Sequence, residues 1–327
     1  MRAALIDPSV GSLVVTDVPD PSPRAGQLLV RVRAAGLNRA DLAARAGTYV
    51  VGAPGAPPRR STAGAELAGE VVAVGDDVEG WAVGDRAMAQ GPGYAELAAV
   101  DARLALPAPD ALSWEEAGAL PVALLTMHDA LVTNGRWTFG ASVLVHAVTS
   151  GVGVIGAQLA LHLGAPLVLG TSRTPAKRER LAALLADDRF VAVDPAELVA
   201  VAADRTEGRG VDVTIDNVGA AVLADTLAAS AILGRIVQVG RLGGRVGTLD
   251  LDELARKRVS LIGVTFRTRT MDERVAVVRA AWGDLADAVT AGVLRPPIHA
   301  AYALEDALAA QDALARDEHL GKLVLVP

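Results

Sequence analysis

The chain of 327 residues contains no cysteine. This absence excludes disulfide bonds, a thiolate nucleophile and every zinc site that is built with cysteine. Five histidines remain as candidate metal ligands, but no two of them are four residues apart. His146 and His162 fall inside an apolar strand and an apolar helix, where a histidine is usually structural. We therefore predict that the protein binds no metal.

Long apolar runs and excess positive charge are also missing. No apolar run reaches the 18 or so residues that span a bilayer, and the segment from Met1 to Asp7 has the pattern of a strand rather than of a signal peptide. The net charge of −7 disfavours nucleic acid and anionic membrane surfaces as partners. We expect a small-molecule substrate, no nucleic-acid or membrane partner, and a cytoplasmic location.

The sequence is instead rich in hydrophobic residues (51%) and in glycine, with 33 glycines. In the first hundred residues, short β-type runs alternate with glycine turns, which predicts a partly closed, barrel-like sheet. Beyond Ala141, strands alternate with helices, which predicts a doubly wound parallel α/β sheet. The six candidate strands are Val143 to Val145, Leu167 to Leu169, Phe190 to Val193, Val213 to Asp216, Ile236 to Gly240 and Leu261 to Thr265.

The end of the chain is expected to return to the first domain. From Met271 the pattern predicts two helices and a closing strand from Leu323 to Val326. The predicted organisation is therefore one domain of residues 1–121 and 267–327, interrupted by a second domain of residues 122–266.

A glycine-rich turn follows the first strand of the α/β region. Gly151, Gly153 and Gly156 have the spacing glycine-x-glycine-x-x-glycine, and a helix and a second strand follow within about thirty residues. In this context the pattern is typical of a dinucleotide-binding turn, in which the helix N-terminus faces the phosphates. The predicted phosphate-binding residues are Ser150, Gly151, Val152, Gly153 and Val154.

The end of the second strand indicates which dinucleotide is bound. NAD-binding folds usually place an acidic residue there to hold the ribose 2′-hydroxyl, but this chain has Ser172 and Arg173, with Lys177 a turn later and no acid before Glu179. A hydroxyl, a guanidinium and an ammonium favour a 2′-phosphate. We predict NADPH rather than NADH. The alternative is that Arg173 and Lys177 are only the solvated start of a helix.

Seven segments in a fixed order carry a family resemblance. They are residues 34–41 (AAGLNRAD), 64–71 (GAELAGEV), 83–86 (VGDR), 117–131, 149–158, 240–244 and 318–322 (EHLGK). Together they resemble the medium-chain dehydrogenase/reductase superfamily, specifically its zinc-free quinone oxidoreductase branch, which includes zeta-crystallin. The resemblance implies a GroES-like catalytic domain, a Rossmann domain, and transfer of hydride from NADPH to a quinone or an α,β-unsaturated carbonyl.

The resemblance also bears on zinc. Zinc-dependent relatives use Cys and His as catalytic ligands, and the matching positions here are Asn38 and Ala65. The remaining acid, Glu66, is then a structural or proton-network residue. Reduction of a polarised acceptor needs only hydrogen-bond donors and a proton.

The resemblance assigns the catalytic positions to Asn38, Asp41 and Tyr49, with Tyr49 as proton donor or oxyanion partner. The alternatives are a helix N-cap for Asn38, a first-turn carboxylate for Asp41 and a packing residue for Tyr49. Further cofactor contacts are implied at Thr126, Asn217, Val218, Val239, Gly240, Arg241, Phe266, Arg267 and Lys322. Arg267 fits a dimer edge equally well.

One feature of the predicted substrate side leaves the function open. The loop from Val50 to Ala63 looks longer than usual in this branch, which suggests a specialised enone or a polycyclic quinone as substrate. An enoyl reductase of a biosynthetic pathway and a cofactor-binding protein without turnover are the alternatives.

An apolar sheet edge near residues 259–264 predicts a homodimer.

Overall fold

The computed structural model describes residues 1–7, 11–48 and 61–327. These residues form two compact units: Met1–Leu125 with Phe266–Pro327, and Thr126–Thr265. The sequence prediction set the boundaries after residues 121 and 266. The boundary between the compact units after Leu125 lies inside the helix Pro121–His128, where the largely apolar sequence gives no sign of a change of unit.

Strands and helices are numbered in chain order. The strands are β1 Arg2–Asp7, β2 Ser12–Asp17, β3 Gln27–Gly36, β4 Ser61–Thr62, β5 Leu67–Val74, β6 Arg86–Ala89, β7 Leu97–Asp101, β8 Ala105–Pro107, β9 Val143–Val145, β10 Val168–Thr171, β11 Phe190–Val193, β12 Val211–Asp216, β13 Ser230–Gln238, β14 Ser260–Gly263, β15 Ile298–Ala303 and β16 Lys322–Val326. The helices are α1 Arg39–Arg45, α2 Trp114–Gly118, α3 Pro121–His128, α4 Gly151–His162, α5 Pro175–Leu185, α6 Leu198–Arg205, α7 Leu223–Ala229, α8 Leu251–Lys257, α9 Met271–Thr290 and α10 Ala307–Ala315. No helix in the described ranges is both long and apolar enough to span a membrane.

The first unit is built on a largely antiparallel sheet with the strand order β15-β16-β3-β5-β6-β8, and β7 also pairs with β3. A smaller sheet has the order β2-β1-β4. In β3 the side chains alternate, so that Val30 and Val32 are buried while Arg31 and Arg33 are exposed. This period of two is the pattern of a strand with one face on a core.

The C-terminal region contains one strand more than the sequence pattern predicted. β15 pairs in parallel with β16, whereas only the closing strand was expected after two helices. The sequence of β15, IHAAYA, has little contrast between its two faces because alanine fills three of its six positions. Its strand character therefore depends on pairing with β16.

The second unit contains the predicted doubly wound sheet, and that prediction is confirmed. Its six strands are all parallel, in the order β11-β10-β9-β12-β13-β14. The chain order reverses between β9 and β12, and in open α/β sheets ligands bind beyond the carboxyl ends of the strands at such a point. The residues that follow β9, β10, β12 and β13 are therefore the place to look for a binding site.

Candidate functional site

The glycine turn lies between β9 and α4. Ala147 has a positive φ of 50°, and Ser150 caps the helix by accepting a hydrogen bond from the Gly153 N–H at 3.1 Å. The N–H groups of Gly151 and Val152 lie in the first turn of α4, where a helix offers them no acceptor. This turn has the geometry of an anion-binding helix N-terminus.

A side chain would meet different neighbours at the different glycines of the turn. A Cβ on Gly153 would lie 2.4 Å from the Ala147 carbonyl oxygen and 2.7 Å from the Val148 Cα, so this glycine lets the helix approach the turn. A Cβ on Gly156 would meet the flexible Met127 sulfur at 2.8 Å. The close approach of α4 to the turn therefore depends on Gly153. The side chain of Val154, which follows Gly153, is buried.

The residues predicted to face the 2′-phosphate follow β10 directly or lie in the first turn of α5. Ser172 is buried and its hydroxyl lies 3.2 Å from that of Thr149. Arg173 is exposed and Lys177 is half-buried. Arg178, which the sequence prediction did not select, donates to the Ser172 carbonyl at 2.6 Å and pairs with an aspartate of the following loop, Asp194. Thr149 therefore holds Ser172 by its hydroxyl and Arg178 holds it by its carbonyl, so that two neighbours fix the end of β10.

Asp216 organises the ends of β12 and β13. One carboxylate oxygen accepts from the N–H groups of Val218 and Gly219, both at 2.8 Å. Its carbonyl accepts from the N–H groups of Val239 at 2.8 Å and Gly240 at 3.0 Å. The predicted cofactor residues Val218, Val239 and Gly240 therefore have no free amide hydrogen. The Val218 carbonyl accepts from the Gly243 N–H at 2.8 Å and the Gly240 carbonyl accepts from the Gln238 side chain, so each of these two oxygens keeps one lone pair.

The other carboxylate oxygen of Asp216 is buried and has no hydrogen-bond partner among the described residues. Burial raises the pKa of this carboxyl, and the nearby charge of Arg241 opposes the rise. Arg241 itself is exposed. The neighbouring Asn217 donates from its side chain to the His146 carbonyl at 3.0 Å, so β12 is tied to the end of β9.

In the first unit a buried ion pair lies beside α1. Glu66 accepts from the Lys322 ammonium at 2.6 Å and from the Asn38 amide at 2.8 Å, and its second oxygen accepts from the Val122 N–H at 2.7 Å. Lys322 also donates to the Leu37 carbonyl at 3.0 Å and to the Asn38 side-chain oxygen at 2.8 Å. We call Asn38, Glu66 and Lys322 the Glu66 cluster.

Asp41 and Tyr94 form a second buried pair next to this cluster. One Asp41 oxygen accepts from the Asn38 backbone N–H at 2.8 Å and from the Tyr94 hydroxyl at 2.9 Å. Burial raises the pKa of the Asp41 carboxyl to about 7. Burial and the Asp41 charge together raise the pKa of Tyr94 well above its usual range. Asp41 is therefore an internal group that titrates near neutral pH.

Of the three predicted catalytic residues, the structure describes Asn38 and Asp41. The side chain of Asn38 is engaged at both its oxygen and its nitrogen within the Glu66 cluster, and Asp41 is held in the first turn of α1, as its alternative interpretation had it. Tyr49 and most of the loop from Val50 to Ala63 lie outside the described residues.

Lys322, which was predicted to contact the cofactor, is buried, and the three hydrogens of its ammonium group are matched by three acceptors inside the first unit. Its contact with the cofactor stays a prediction. Among the other predicted contacts, Thr126 is half-buried on α3, Phe266 stacks under the Arg269 guanidinium at 5.0 Å, and Arg267 is half-buried.

Two protein families match this chain. The family model described as alcohol dehydrogenase GroES-like domain matches residues 24–110, and the model described as zinc-binding dehydrogenase matches residues 151–282. The fold and these matches define a chain built from a GroES-like domain and a dehydrogenase domain. The chain belongs to the medium-chain dehydrogenase/reductase superfamily, as the resemblance predicted.

A quinone oxidoreductase from Rattus norvegicus is 30% identical to this chain, and the match covers 95% of this chain and 92% of that protein. The structure of mycobacterial Rv1454c complexed with NADPH is 29% identical, covers 100% of both chains and has a TM-score of 0.86. The chain is therefore similar to quinone oxidoreductases over nearly its whole length.

A different kind of relative is the erythronolide synthase EryA2 from Saccharopolyspora erythraea. It is 34% identical over 331 residues, and the match covers 98% of this chain but only 8% of that protein. The chain thus spans a small part of the length of this much larger protein.

Zinc appears in the description of one family model, so the donor set of this chain was compared with the needs of a zinc ion. The described ranges contain no group of three or more His, Cys, Asp or Glu side chains arranged to hold a metal. At the place that the resemblance assigns to zinc ligands, Glu66 already binds the Lys322 ammonium. The residues present there do not fit zinc.

The sequence prediction missed the partners of its own candidates. Tyr94 donates a hydrogen bond to the Asp41 carboxylate, and Lys322 donates one to the Asn38 side-chain oxygen. Asp216 accepts hydrogen bonds from the backbone that follows β12 and β13. One local signal was available for Asp216, which is an acid at the end of an apolar strand. Tyr94 is one of only three tyrosines, but nothing in its neighbouring sequence relates it to Asp41.

Proposed function

We propose that the protein is an NADPH-dependent, metal-independent reductase of quinones or α,β-unsaturated carbonyl compounds. The observation that carries the proposal is the glycine turn capped by Ser150, followed at the end of β10 by Arg173 and Lys177 without an acid. The similarity to a quinone oxidoreductase and to a protein solved with NADPH supports it. NADPH, when bound, supplies the hydride.

The residues proposed to hold the cofactor each bind a different part of it. The N–H groups of Gly151 and Val152 bind the pyrophosphate, because they face outward from a helix N-terminus. Ser172, Arg173 and Lys177 bind the 2′-phosphate through a hydroxyl and two cations. For the nicotinamide half we propose Thr126, the carbonyl groups beyond β12 and β13, and the residues Asn217, Arg241, Phe266 and Arg267.

For the first unit we propose that Tyr49 donates a hydrogen bond or a proton to the substrate oxygen. Asn38 acts by position, because both polar atoms of its side chain already have partners in the protein. Asp41 acts by position through the oxygen that accepts from Asn38 and Tyr94. The reaction then needs no bound metal, since an enolate or hydroquinone oxygen can be stabilised by hydrogen-bond donors alone.

Spectrophotometric assay of NADPH oxidation with a panel of quinones and enones tests the activity. The Gly153→Asp variant should lose turnover with every acceptor, because a carboxylate would occupy the phosphate turn. Absence of turnover in the wild-type protein across the panel, with NADPH bound, would instead favour a cofactor-binding protein without catalysis. Activity with simple quinones alone would contradict a specialised enone or polycyclic substrate.

The 2′-phosphate assignment has its own test. Replacing Arg173 and Lys177 by Ala should raise the KM for NADPH by about 10- to 100-fold, which corresponds to about 1.4 to 2.7 kcal/mol of lost binding energy, and leave the KM for NADH nearly unchanged. Equal losses for both cofactors would refute the assignment. The matched control is Arg180→Ala, which removes an exposed cation of the same helix.

An enoyl reductase is the second candidate function. The observation that favours it is the 34% identity to a polyketide synthase over 98% of the chain. The two functions share the cofactor residues and differ in the acceptor. A larger kcat/KM for 2-enoyl thioesters than for quinones would support the enoyl reductase.

We also propose a homodimer. β14 is the edge strand of the second-unit sheet, and Leu261 on this strand is 44% exposed. An uncovered apolar edge favours pairing with a second strand. Light scattering coupled to gel filtration would detect the dimer, and a monomer at micromolar concentration would contradict it. The cytoplasmic location remains an expectation from composition.

A further inference from the structure

A buried histidine connects the strand ends that surround the glycine turn. His146 directly follows β9, is completely buried, and approaches the Thr171 hydroxyl with Nδ1 at 2.9 Å and the Thr226 hydroxyl with Nε2 at 2.8 Å. Its backbone N–H donates to the Ile215 carbonyl at 3.0 Å, and its carbonyl accepts from the Asn217 side chain. One residue therefore contacts β10, β12 and α7.

The hydrogen-bond partners determine which ring nitrogen carries the hydrogen. The Thr226 hydroxyl lies 2.6 Å from the Val222 carbonyl, and a carbonyl can only accept. The single hydrogen of Thr226 is therefore used, and Thr226 must accept from Nε2–H of His146. Nδ1 then has a free lone pair, to which the Thr171 hydroxyl donates.

The neutral ring is also the stable form in this environment. Burial lowers the pKa of His146 to about 4, and no carboxylate is hydrogen-bonded to either ring nitrogen. At pH 7 the imidazole is thus an uncharged link with one donor and one acceptor, and both are used.

Thr171 is where this link meets the candidate cofactor site. It is the last residue of β10, and Ser172 and Arg173 follow it directly. Its carbonyl accepts from the Val148 N–H of the glycine turn at 3.0 Å. Fixing Thr171 therefore fixes the end of β10 relative to the turn that precedes α4.

We propose that His146 is a positioning residue for the dinucleotide, which holds the 2′-phosphate end of the site in register with the glycine turn through Thr171. The proposal rests on the proposed binding of NADPH. His146 touches neither the cofactor nor the substrate in this role. Its effect reaches the ligand through Thr171 and the two residues that follow it.

Three substitutions separate the two ring contacts. His146→Phe removes both, His146→Asn keeps a polar group near the position of Nδ1, and His146→Gln keeps one near the position of Nε2. We expect His146→Phe to raise the Kd for NADPH by about tenfold and the Kd for NADH by less than about threefold, since one or two hydrogen bonds change affinity by about this much. His146→Asn should restore most of the NADPH affinity, and His146→Gln should not.

The controls distinguish this role from a purely structural one. His162→Asn changes an exposed histidine on α4 and should leave both Kd values at the wild-type level. Equal weakening of NADPH and NADH by His146→Phe, or equal losses in the Asn and Gln variants, would overturn the proposal. If the wild-type protein binds neither dinucleotide, the proposed function fails together with the inference.

Two further measurements keep the test decisive if His146→Phe does not fold. Thr171→Val removes the same hydrogen bond from the other side and should raise the Kd for NADPH as His146→Phe does, whereas Thr171→Ser keeps it. Nitrogen NMR of the histidine rings should show the Nε2–H tautomer for the signal that disappears in His146→Asn. An Nδ1–H tautomer, or unchanged affinity in Thr171→Val, would contradict the proposal.

Discussion

At the scale of single residues, the first unit buries several ionisable groups close together. The carboxyl of Asp41 has its pKa raised to about 7 by burial, although two donors contact it. Glu66 and Lys322 are 0% and 3% exposed at the side chain. These groups make the stability of the fold depend on pH and on the integrity of the ion pair.

Asp41 should make the wild-type protein less stable as the pH rises. An acid with a higher pKa in the folded than in the unfolded state stabilises the fold at low pH, and this contribution is lost between the unfolded-state pKa near 4 and the folded-state pKa near 7. We expect the unfolding free energy of wild type minus that of Asp41→Asn to fall by about 3 kcal/mol between pH 5 and pH 8. Urea unfolding at several pH values measures it, and a constant difference would contradict the assignment.

The Glu66–Lys322 pair should respond strongly to the loss of one partner. Lys322→Met leaves the Glu66 carboxylate buried without its cation, and we expect a loss of about 3 to 5 kcal/mol in unfolding free energy. The double variant Glu66→Gln with Lys322→Met should lose less than the sum of the single variants, because it leaves no unpaired charge. Chemical unfolding of the four proteins completes the cycle. Strict additivity would argue against a coupled pair.

At the scale of elements, the glycine turn and α4 pack closely against the ends of the neighbouring strands. Ser150 caps the helix, and the end of β10 contacts the turn through Thr171 and Ser172. The backbone is close-packed here, so that even one added methyl group has to displace either main chain or a movable side chain. Whether the methyl group would displace main chain or a side chain differs between Gly153 and Gly156.

Gly153 and Gly156 should therefore tolerate alanine differently. In Gly153→Ala the new Cβ meets backbone atoms of Ala147 and Val148, so the turn must shift, and we expect the Kd for NADPH to rise by about 100-fold, or about 2.7 kcal/mol. In Gly156→Ala the Cβ meets only the flexible end of Met127, and the Kd should change by less than about threefold. Isothermal titration of both variants compares them directly. Equal effects would show that the tight approach at Gly153 is unimportant for binding.

At the scale of the whole molecule, binding and stability are linked. A ligand that binds only the folded protein raises the unfolding free energy by about 2.7 kcal/mol at a concentration of 100 times its Kd. We expect NADPH to raise the thermal midpoint accordingly, and the same NADPH concentration to act less on the double variant with Arg173→Ala and Lys177→Ala. Thermal unfolding with and without NADPH provides the measurement. An unchanged midpoint in the wild-type protein would contradict NADPH binding.

The fold could be predicted where it depends on local sequence patterns. The six strands of the second unit follow from apolar runs separated by helical segments, and the glycine turn follows from spacing within six residues. β15 escaped prediction because its alanine-rich sequence has little contrast, and the early start of β13 at Ser230 escaped because the positive φ of Leu233 interrupts a regular strand pattern.

The sequence by itself determined the superfamily, through short segments that recur in a fixed order, and the doubly wound sheet, through local apolar runs. It also located the glycine turn after β9, because that turn depends on residues close together in the chain. Only the tertiary structure decided which polar groups meet. Lys322 lies 256 residues from Glu66, Thr226 lies 80 from His146 and Tyr94 lies 53 from Asp41. Such contacts depend on how strands and helices pack, and the need to satisfy buried polar groups selects the partners only after the chain has folded.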